Sequence, residues 1–149
     1  MLTHINSSGR SRNVRRSGNA VLDAALVLPI LLSLTFGTVE YGYFFFVKHS
    51  MQGAAREGCR AAIVPSADNT TVTQAIAASL KAAGLNTSNT TLDSRFTLTL
   101  TPSNVSGLAG GTSVTVQLDT TWGQIGVRPL GLIGSAKVVR GTTVMRKEE

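Results

Sequence analysis

The chain has 149 residues, of which 42% are hydrophobic and only 15% charged, well below the charged quarter or so that is typical of soluble domains. If part of this length lies in a membrane, about 100 residues remain, which suffices for one modest soluble domain. The formal net charge of +6 would suit a nucleic-acid partner. However, four of the fourteen basic residues lie in the first sixteen positions without any acidic residue, and the other ten are nearly balanced by eight acidic residues. Because no basic run is interleaved with aromatic residues, we exclude that class.

The sequence offers no recognisable catalytic or metal-binding constellation. Cys59 is the single cysteine, and His4 and His49 are the two histidines, none of them within a paired His, Cys and Asp pattern. A structural zinc site needs four grouped ligands, and a catalytic triad needs a nucleophile beside a base. We therefore predict that the protein is not an enzyme and has no cofactor and no bound metal.

A long apolar run extends from Ala24 to Val47 and contains one charge, Glu40. As a helix it would extend about 36 Å at about 1.5 Å per residue, more than a hydrocarbon core of about 30 Å. The run therefore predicts a transmembrane helix, in which Pro29 predicts a kink or a loosened turn. A cleaved secretory signal is the alternative, and we favour the anchor because no small-x-small cleavage site follows the apolar core.

The flanks of the run predict the domain organisation. Residues 1–18 are rich in Ser, Asn and Arg and should form a basic leader or cytoplasmic tail. We assign 19–47 to the transmembrane helix and 48–149 to an extracytoplasmic α+β domain. Because arginines precede the helix, the N-terminus should be cytoplasmic.

After Val47 the helical period continues but becomes amphipathic, so the transmembrane helix should extend into the domain. Ala54, Gly58 and Ala62 form a line of small residues at a spacing of four, which lets another backbone approach closely. That backbone belongs either to the domain's own core or to a neighbouring subunit, and the sequence leaves both interpretations open. Pro65 predicts the end of the helix.

A second, short helix is predicted next. Asp68, or Asn69 with Thr70, supplies N-cap chemistry, and the helix should run to about Lys81 with Gly84 as its stop. Its apolar face comprises Val72, Ile76, Ala77 and Leu80. This is the pattern of a helix packed on a core by one side.

The last third of the chain changes to a period of two. After a polar linker at 86–91, which we predict to be flexible, apolar and polar residues alternate in 95–102 and 112–122. A third β-rich run at 136–146 breaks its parity at Gly141, where we predict a bulge. The simplest assembly is a three-stranded antiparallel sheet whose apolar face packs on the helices.

Three stretches of this sequence resemble the TadE-like family, pseudopilin-like single-pass proteins of tight-adherence pilus assembly. They are RRSGNAVLDAALVLPILL, then FGTVEYGYFF with AAREGCRAA, and finally PLGLIGSAKVVRGTTVMRKE. The resemblance implies a pilin-like fold in the bacterial inner membrane. It also implies a role in pilus assembly, cell adhesion or secretion through protein–protein contacts.

The resemblance also implies a processing site. In prepilin-like members a membrane peptidase cuts after a small residue, and an acidic residue stands fifth in the mature chain. A cut between Gly18 and Asn19 would place Asp23 fifth, although the family usually has glutamate there. Asp23 would then guide assembly by pairing with an α-amino group, and Glu40 is a second candidate for such a contact.

Each acidic residue also has a simpler interpretation. Asp23 would be favoured by the helix dipole in the first turn near the headgroups, and Glu40 beside Tyr41 and Tyr43 would lie at the outer membrane interface.

The partners implied are the membrane, other pilus or secretion-system components, a prepilin peptidase and a second copy of the chain. The alternative function is a membrane-anchored module that binds an extracytoplasmic ligand and is not processed as a prepilin. Absence of leader cleavage and of self-association would favour that alternative. The sequence leaves open whether the protein enters a filament or stays in the membrane.

Overall fold

The computed structural model describes residues 16–148, with side chains described from Ala20 onward. Within this range the elements are α1 (Arg16–Ile63), α2 (Asn69–Ala82), β1 (Thr97–Thr101), β2 (Ser113–Thr121), α3 (Trp122–Ile125) and β3 (Val138–Arg146). The contacts divide the chain into two units, Met1–Thr35 and Phe36–Glu149. The predicted α+β class, with a long apolar helix, a second short helix and a three-stranded antiparallel sheet, is confirmed.

Helix α1 is continuous over 48 residues, so the apolar helix does extend into the amphipathic one as predicted. Pro29 lies inside it and lacks the amide that would bond to the carbonyl of Ala25. The Ser33 hydroxyl donates to the carbonyl oxygen of Pro29 at 2.7 Å, a back-bond that occurs at bends in membrane helices. Of the predicted tail at 1–18, residues 1–15 lie outside the part of the chain that the structure describes.

Helix α2 matches its sequence pattern at both ends. Asp68 is the N-cap, and its carboxylate accepts the backbone N–H of Thr71 at 2.6 Å. At the other end Gly84 has φ +71, and the N–H of Leu85 bonds to the carbonyl of Leu80 at 2.8 Å, the arrangement of a glycine-terminated helix. The buried face consists of the four predicted residues, Val72, Ile76, Ala77 and Leu80.

The sheet has the order β1-β2-β3 with both pairs antiparallel. The central strand buries Val114, Val116 and Leu118 and turns its alternate side chains outward, as the period of two predicts. These residues form one core with α1 and α2 that includes Met51, Cys59, Ile76, Leu80 and Trp122. The outer face of the sheet is rich in threonine.

The bulge predicted at Gly141 is wrong, because β2 and β3 pair without interruption and Gly141 stands opposite Leu118. The glycine has a packing cause instead. A Cβ at this position would lie 2.5 Å from the carbonyl oxygen of Met51, so only glycine lets α1 approach the strand so closely. The adjacent Gln52 side chain donates to the carbonyl of Thr142 at 2.7 Å and accepts its N–H at 3.2 Å, which covers part of the free edge of β3.

The linker at 86–91 is a folded loop rather than the flexible segment predicted. The buried Asn86 amide donates to the carbonyls of Ser88 and Thr91 at 2.7 and 2.8 Å and accepts the N–H of Asp93 at 2.9 Å. One side chain thereby satisfies backbone groups on both sides of the loop, in the manner of an Asx turn.

The end of β3 is tied to the end of α1. Lys147 is buried, and its ammonium donates to the carbonyls of Ala62, Val64 and Val105 at 3.4, 2.9 and 3.3 Å. Carbonyls at a helix C-terminus lack intrahelical partners, and a cation there is favoured by the helix dipole. The lysine thus closes the domain at the point where α1 stops.

Candidate functional site

The candidate site begins in the first turns of α1. The helix starts at Arg16, so the predicted processing junction between Gly18 and Asn19 lies in helical backbone. Asp23 is exposed, and the apolar residues that follow it are exposed as well. The processing role of Gly18 and Asn19 and the assembly role of Asp23 stay predictions.

The apolar part of α1 is long enough and apolar enough to cross a membrane. Its most apolar window of 18 residues has a mean hydropathy of 2.0, and only 6% of that window is buried. A core helix of a soluble domain would bury such a surface, whereas lipid covers it in a membrane anchor. This exposure indicates a single-pass anchor.

Glu40 lies on the same helix but is completely buried. Its two carboxylate oxygens accept the backbone N–H of Leu130 at 3.3 Å and that of Ile133 at 2.8 Å. Both donors belong to the α3–β3 loop, which we define as residues 126–137. The structure therefore provides Glu40 with partners inside its own chain, and a contact of Glu40 with a neighbouring helix stays a prediction.

The α3–β3 loop is pinned at its base. The N–H of Trp122 donates to the carbonyl of Lys137 at 2.7 Å, and that of Gly123 donates to the carbonyl of Ser135 at 2.8 Å. Trp122 is buried against Phe44 of α1, with ring centroids 5.3 Å apart. The two ends of the loop are thus held together beside α1, and the loop projects from that point.

The far part of the loop passes close to α1 at Gly37. A Cβ there would lie 3.5 Å from the Cδ1 of Leu132, an ordinary van der Waals contact. Although Leu132 reaches the helix, its side chain remains 54% exposed, and Val127 and Leu130 are exposed too. The loop therefore covers Glu40 with its backbone and presents apolar side chains outward.

The line of small residues faces the core of its own domain. Ala54 and Ala62 are fully buried, and a Cβ at Gly58 would lie 2.4 Å from Cγ1 of Ile76 on α2. The intramolecular packing accounts for the spacing, one of the two interpretations left open by the sequence. An interface with another subunit along Ala54, Gly58 and Ala62 would require the domain to open.

The outer face of the sheet carries an ion pair. Arg140 donates to the two carboxylate oxygens of Asp119 at 2.7 and 2.9 Å, and this bond lowers the pKa of Asp119 below its ordinary value. Both residues line a shallow groove of about 330 Å³. Among residues 16–148, no three His, Cys, Asp or Glu side chains come together as metal ligands would.

Sequence reasoning missed three features of this region: the burial of Glu40 under the loop, the contact of Gln52 with β3, and the burial of Lys147. The first had a weak signal, because 129–136 is free of charge and mostly apolar although it lies between strands. The other two had none, because Gln and Lys are ordinarily surface residues.

Residues 18–60 match the family model described as TadE-like protein. This range holds most of the first two stretches that carry the resemblance, including Asp23, Glu40 and Gly58, whereas the third stretch lies outside it. No curated protein and no solved structure gives a match to the chain. The match confirms the resemblance over residues 18–60, and the exposed apolar part of α1 indicates a membrane anchor.

Proposed function

We propose that this chain is a pseudopilin-like single-pass membrane protein that contributes to assembly of a pilus or of a related surface-filament or secretion apparatus. The observation that carries the proposal is the coincidence of the TadE-like match at 18–60 with the exposed apolar part of α1. The chain acts by protein contacts and performs no catalysis. It lies in the inner membrane with its N-terminus in the cytoplasm and its domain outside.

Lateral contacts within the membrane are the basis of this role. After cleavage at Gly18, the new α-amino group of Asn19 stands about one helical turn from Asp23. A carboxylate at the edge of hydrocarbon is costly alone, and pairing with the amine of the same or a neighbouring subunit offsets that cost. Self-association and binding to other pilus components would then both depend on Asp23.

The continuity of α1 links the membrane segment to the domain. The same helix that exposes apolar residues near Asp23 buries Val47, Met51 and Ala55 in the domain core. Helix α1 therefore contributes both to the membrane segment and to the core of the domain.

The experiment that tests the proposal is N-terminal sequencing of the native protein extracted from membranes, with crosslinking to measure assembly. The mature chain should start at Asn19. An Asp23→Ala variant should start at the same residue but show reduced crosslinking, whereas Asp23→Glu, which keeps the carboxylate, should assemble. An intact Met1 start would sink the processing step, and a start beyond Val47 would overturn the anchor.

The alternative, a ligand-binding module, has less support. The groove on the sheet is shallow, and the charged groups of Asp119 and Arg140 in it are bonded to each other. An uncleaved N-terminus together with absence of crosslinking between copies would favour this alternative.

A further inference from the structure

We propose that the α3–β3 loop inserts into the membrane leaflet on the side of the domain, next to α1, so that the domain contacts lipid through this loop as well as through its helix. The inference rests on the membrane anchor and not on the role in pilus assembly. It assigns a lipid-binding surface to residues far from the transmembrane helix in sequence.

The loop has the surface chemistry of a membrane-inserted segment. Residues 129–136 contain no charged side chain, and Leu130 and Leu132 are 42% and 54% exposed. Single exposed apolar residues are common on soluble proteins. Here, however, the loop reaches α1 at Gly37, where a Cβ would lie 3.5 Å from Leu132, and Phe36 and Val39 at the same level of the helix are exposed as well.

The length of the bare helix places this surface in the bilayer. From Ala24 to Phe36, before the loop contacts Gly37, the helix extends only about 20 Å at about 1.5 Å per residue, against a hydrocarbon core of about 30 Å. Counting from Asn19 gives about 27 Å, which is still short. A hydrocarbon core that begins between Asn19 and Ala24 therefore extends past Gly37, to the level where the loop lies.

Glu40 explains how an irregular loop is tolerated at that depth. Backbone N–H groups have no water to bond with in hydrocarbon, and a carboxylate there is equally costly without donors. The loop N–H groups of Leu130 and Ile133 and the carboxylate of Glu40 satisfy one another at 3.3 and 2.8 Å. Each would be expensive in lipid without the other, so the contact makes insertion of the loop feasible.

The charges that border the loop fit the same arrangement. Arg128 precedes the uncharged stretch and Lys137 follows it. Long basic side chains at such positions extend to the headgroups while their aliphatic parts remain in the apolar layer. The loop thus has an apolar tip between two cationic ends, as a segment at the membrane interface requires.

Three cysteine variants of the full-length chain test the proposal. A fluorescent NBD label is placed at Leu132→Cys on the loop, at Leu28→Cys on the transmembrane helix and at Val144→Cys on the outer face of the sheet. The three native side chains are matched in exposure, at 54%, 56% and 58%. The native Cys59 is buried, and burial raises the pKa of its thiol, so Cys59 should react poorly with the label. The parent protein, which has no added cysteine, measures any labelling of Cys59.

Each labelled protein is placed in phosphatidylcholine nanodiscs, with nitroxide-labelled phosphatidylcholine as the quencher in lipid and iodide as the quencher in water. The label at 132 should emit at a shorter wavelength than the label at 144. It should also be quenched by the nitroxide lipid, as the label at 28 is, and should not be quenched by iodide. The label at 144 should respond to iodide alone.

Three outcomes would contradict the expectation, and they differ in what they overturn. If the label at 132 responds to iodide as that at 144 does, the loop lies in water and the proposal is wrong. If it resists both quenchers, protein covers the loop and a second subunit replaces lipid as its partner. If the label at 28 also fails to respond to the nitroxide lipid, the membrane anchor itself is refuted.

Discussion

Substituting alanine at Gly58 should destabilise the domain, whereas the same substitution at Gly53 on the same helix should stabilise it. A Cβ at Gly58 would lie 2.4 Å from Cγ1 and 2.6 Å from Cδ1 of Ile76, whereas a Cβ at Gly53 meets nothing within 4 Å. The pair therefore compares one chemical change at a filled and at an open position of α1. It also tests whether the line of small residues serves the core or another subunit.

The magnitude follows from two opposing terms. Alanine in place of glycine in a helix interior is favourable by about 1 kcal/mol, which is the full expected effect at Gly53. At Gly58 the new methyl would overlap Ile76 by about 1 Å relative to ordinary carbon contacts, and overpacking of this kind costs about 1–3 kcal/mol. Gly58→Ala should therefore be less stable than Gly53→Ala by about 1–3 kcal/mol.

Urea unfolding of the full-length protein in detergent micelles measures both variants. Trp122, the single tryptophan, is fully buried and reports loss of the core by its fluorescence. If Gly58→Ala is as stable as Gly53→Ala but shows weaker crosslinking between copies, packing within the domain is not the cause of the spacing and the line serves an interface between subunits. Loss of stability with crosslinking unchanged would support packing within the domain.

Three other predictions concern the sheet and the end of the chain. Lys147→Met should lower the free energy of unfolding in urea by about 1–3 kcal/mol, because three carbonyls lose a buried donor; an unchanged midpoint would show that water replaces the ammonium. Gly141→Ala should destabilise the domain by about 1–3 kcal/mol, because its Cβ would meet the backbone of Met51 and not a movable side chain. Thermal unfolding followed by circular dichroism measures the loss. A melting temperature equal to that of the wild type would contradict this expectation. The hydrogen bond from Arg140 lowers the pKa of Asp119 in the folded protein. The contribution of Asp119 to stability is therefore fully present above the unfolded pKa of about 3.9 and is lost as the pH falls through the folded pKa. Asp119→Asn should remove this part of the pH dependence of urea unfolding, and an unchanged profile would show that another group causes it.

The architecture can be predicted from the sequence, because the signals that specify it are local and periodic. The apolar run from Ala24 to Val47 is long enough for a bilayer, and the alternation in β1 and β2 specifies which strand face is buried. The capping chemistry at Asp68 and Gly84 likewise lies within a few residues of the helix ends it determines. Such signals depend on neighbours in the chain, so they survive without knowledge of the fold.

The contacts of the ambiguous residues depend on segments that are far apart in the chain. Gly141 interrupts the parity of β3, and in sequence an interruption of that kind resembles a bulge. Its actual cause is the backbone of α1, which is far away in the chain. The line at Ala54, Gly58 and Ala62 was equally compatible with two partners, because small residues permit close approach of any backbone.

The role of Glu40 illustrates the same division. Its place in an apolar helix showed that it needs a partner, since an isolated carboxylate is costly in hydrocarbon. Any donor, from its own chain, from another subunit or from water at the interface, would meet that need. The fold supplies the N–H groups of Leu130 and Ile133, which lie 90 and 93 positions away, because the closure of the sheet brings the α3–β3 loop beside α1.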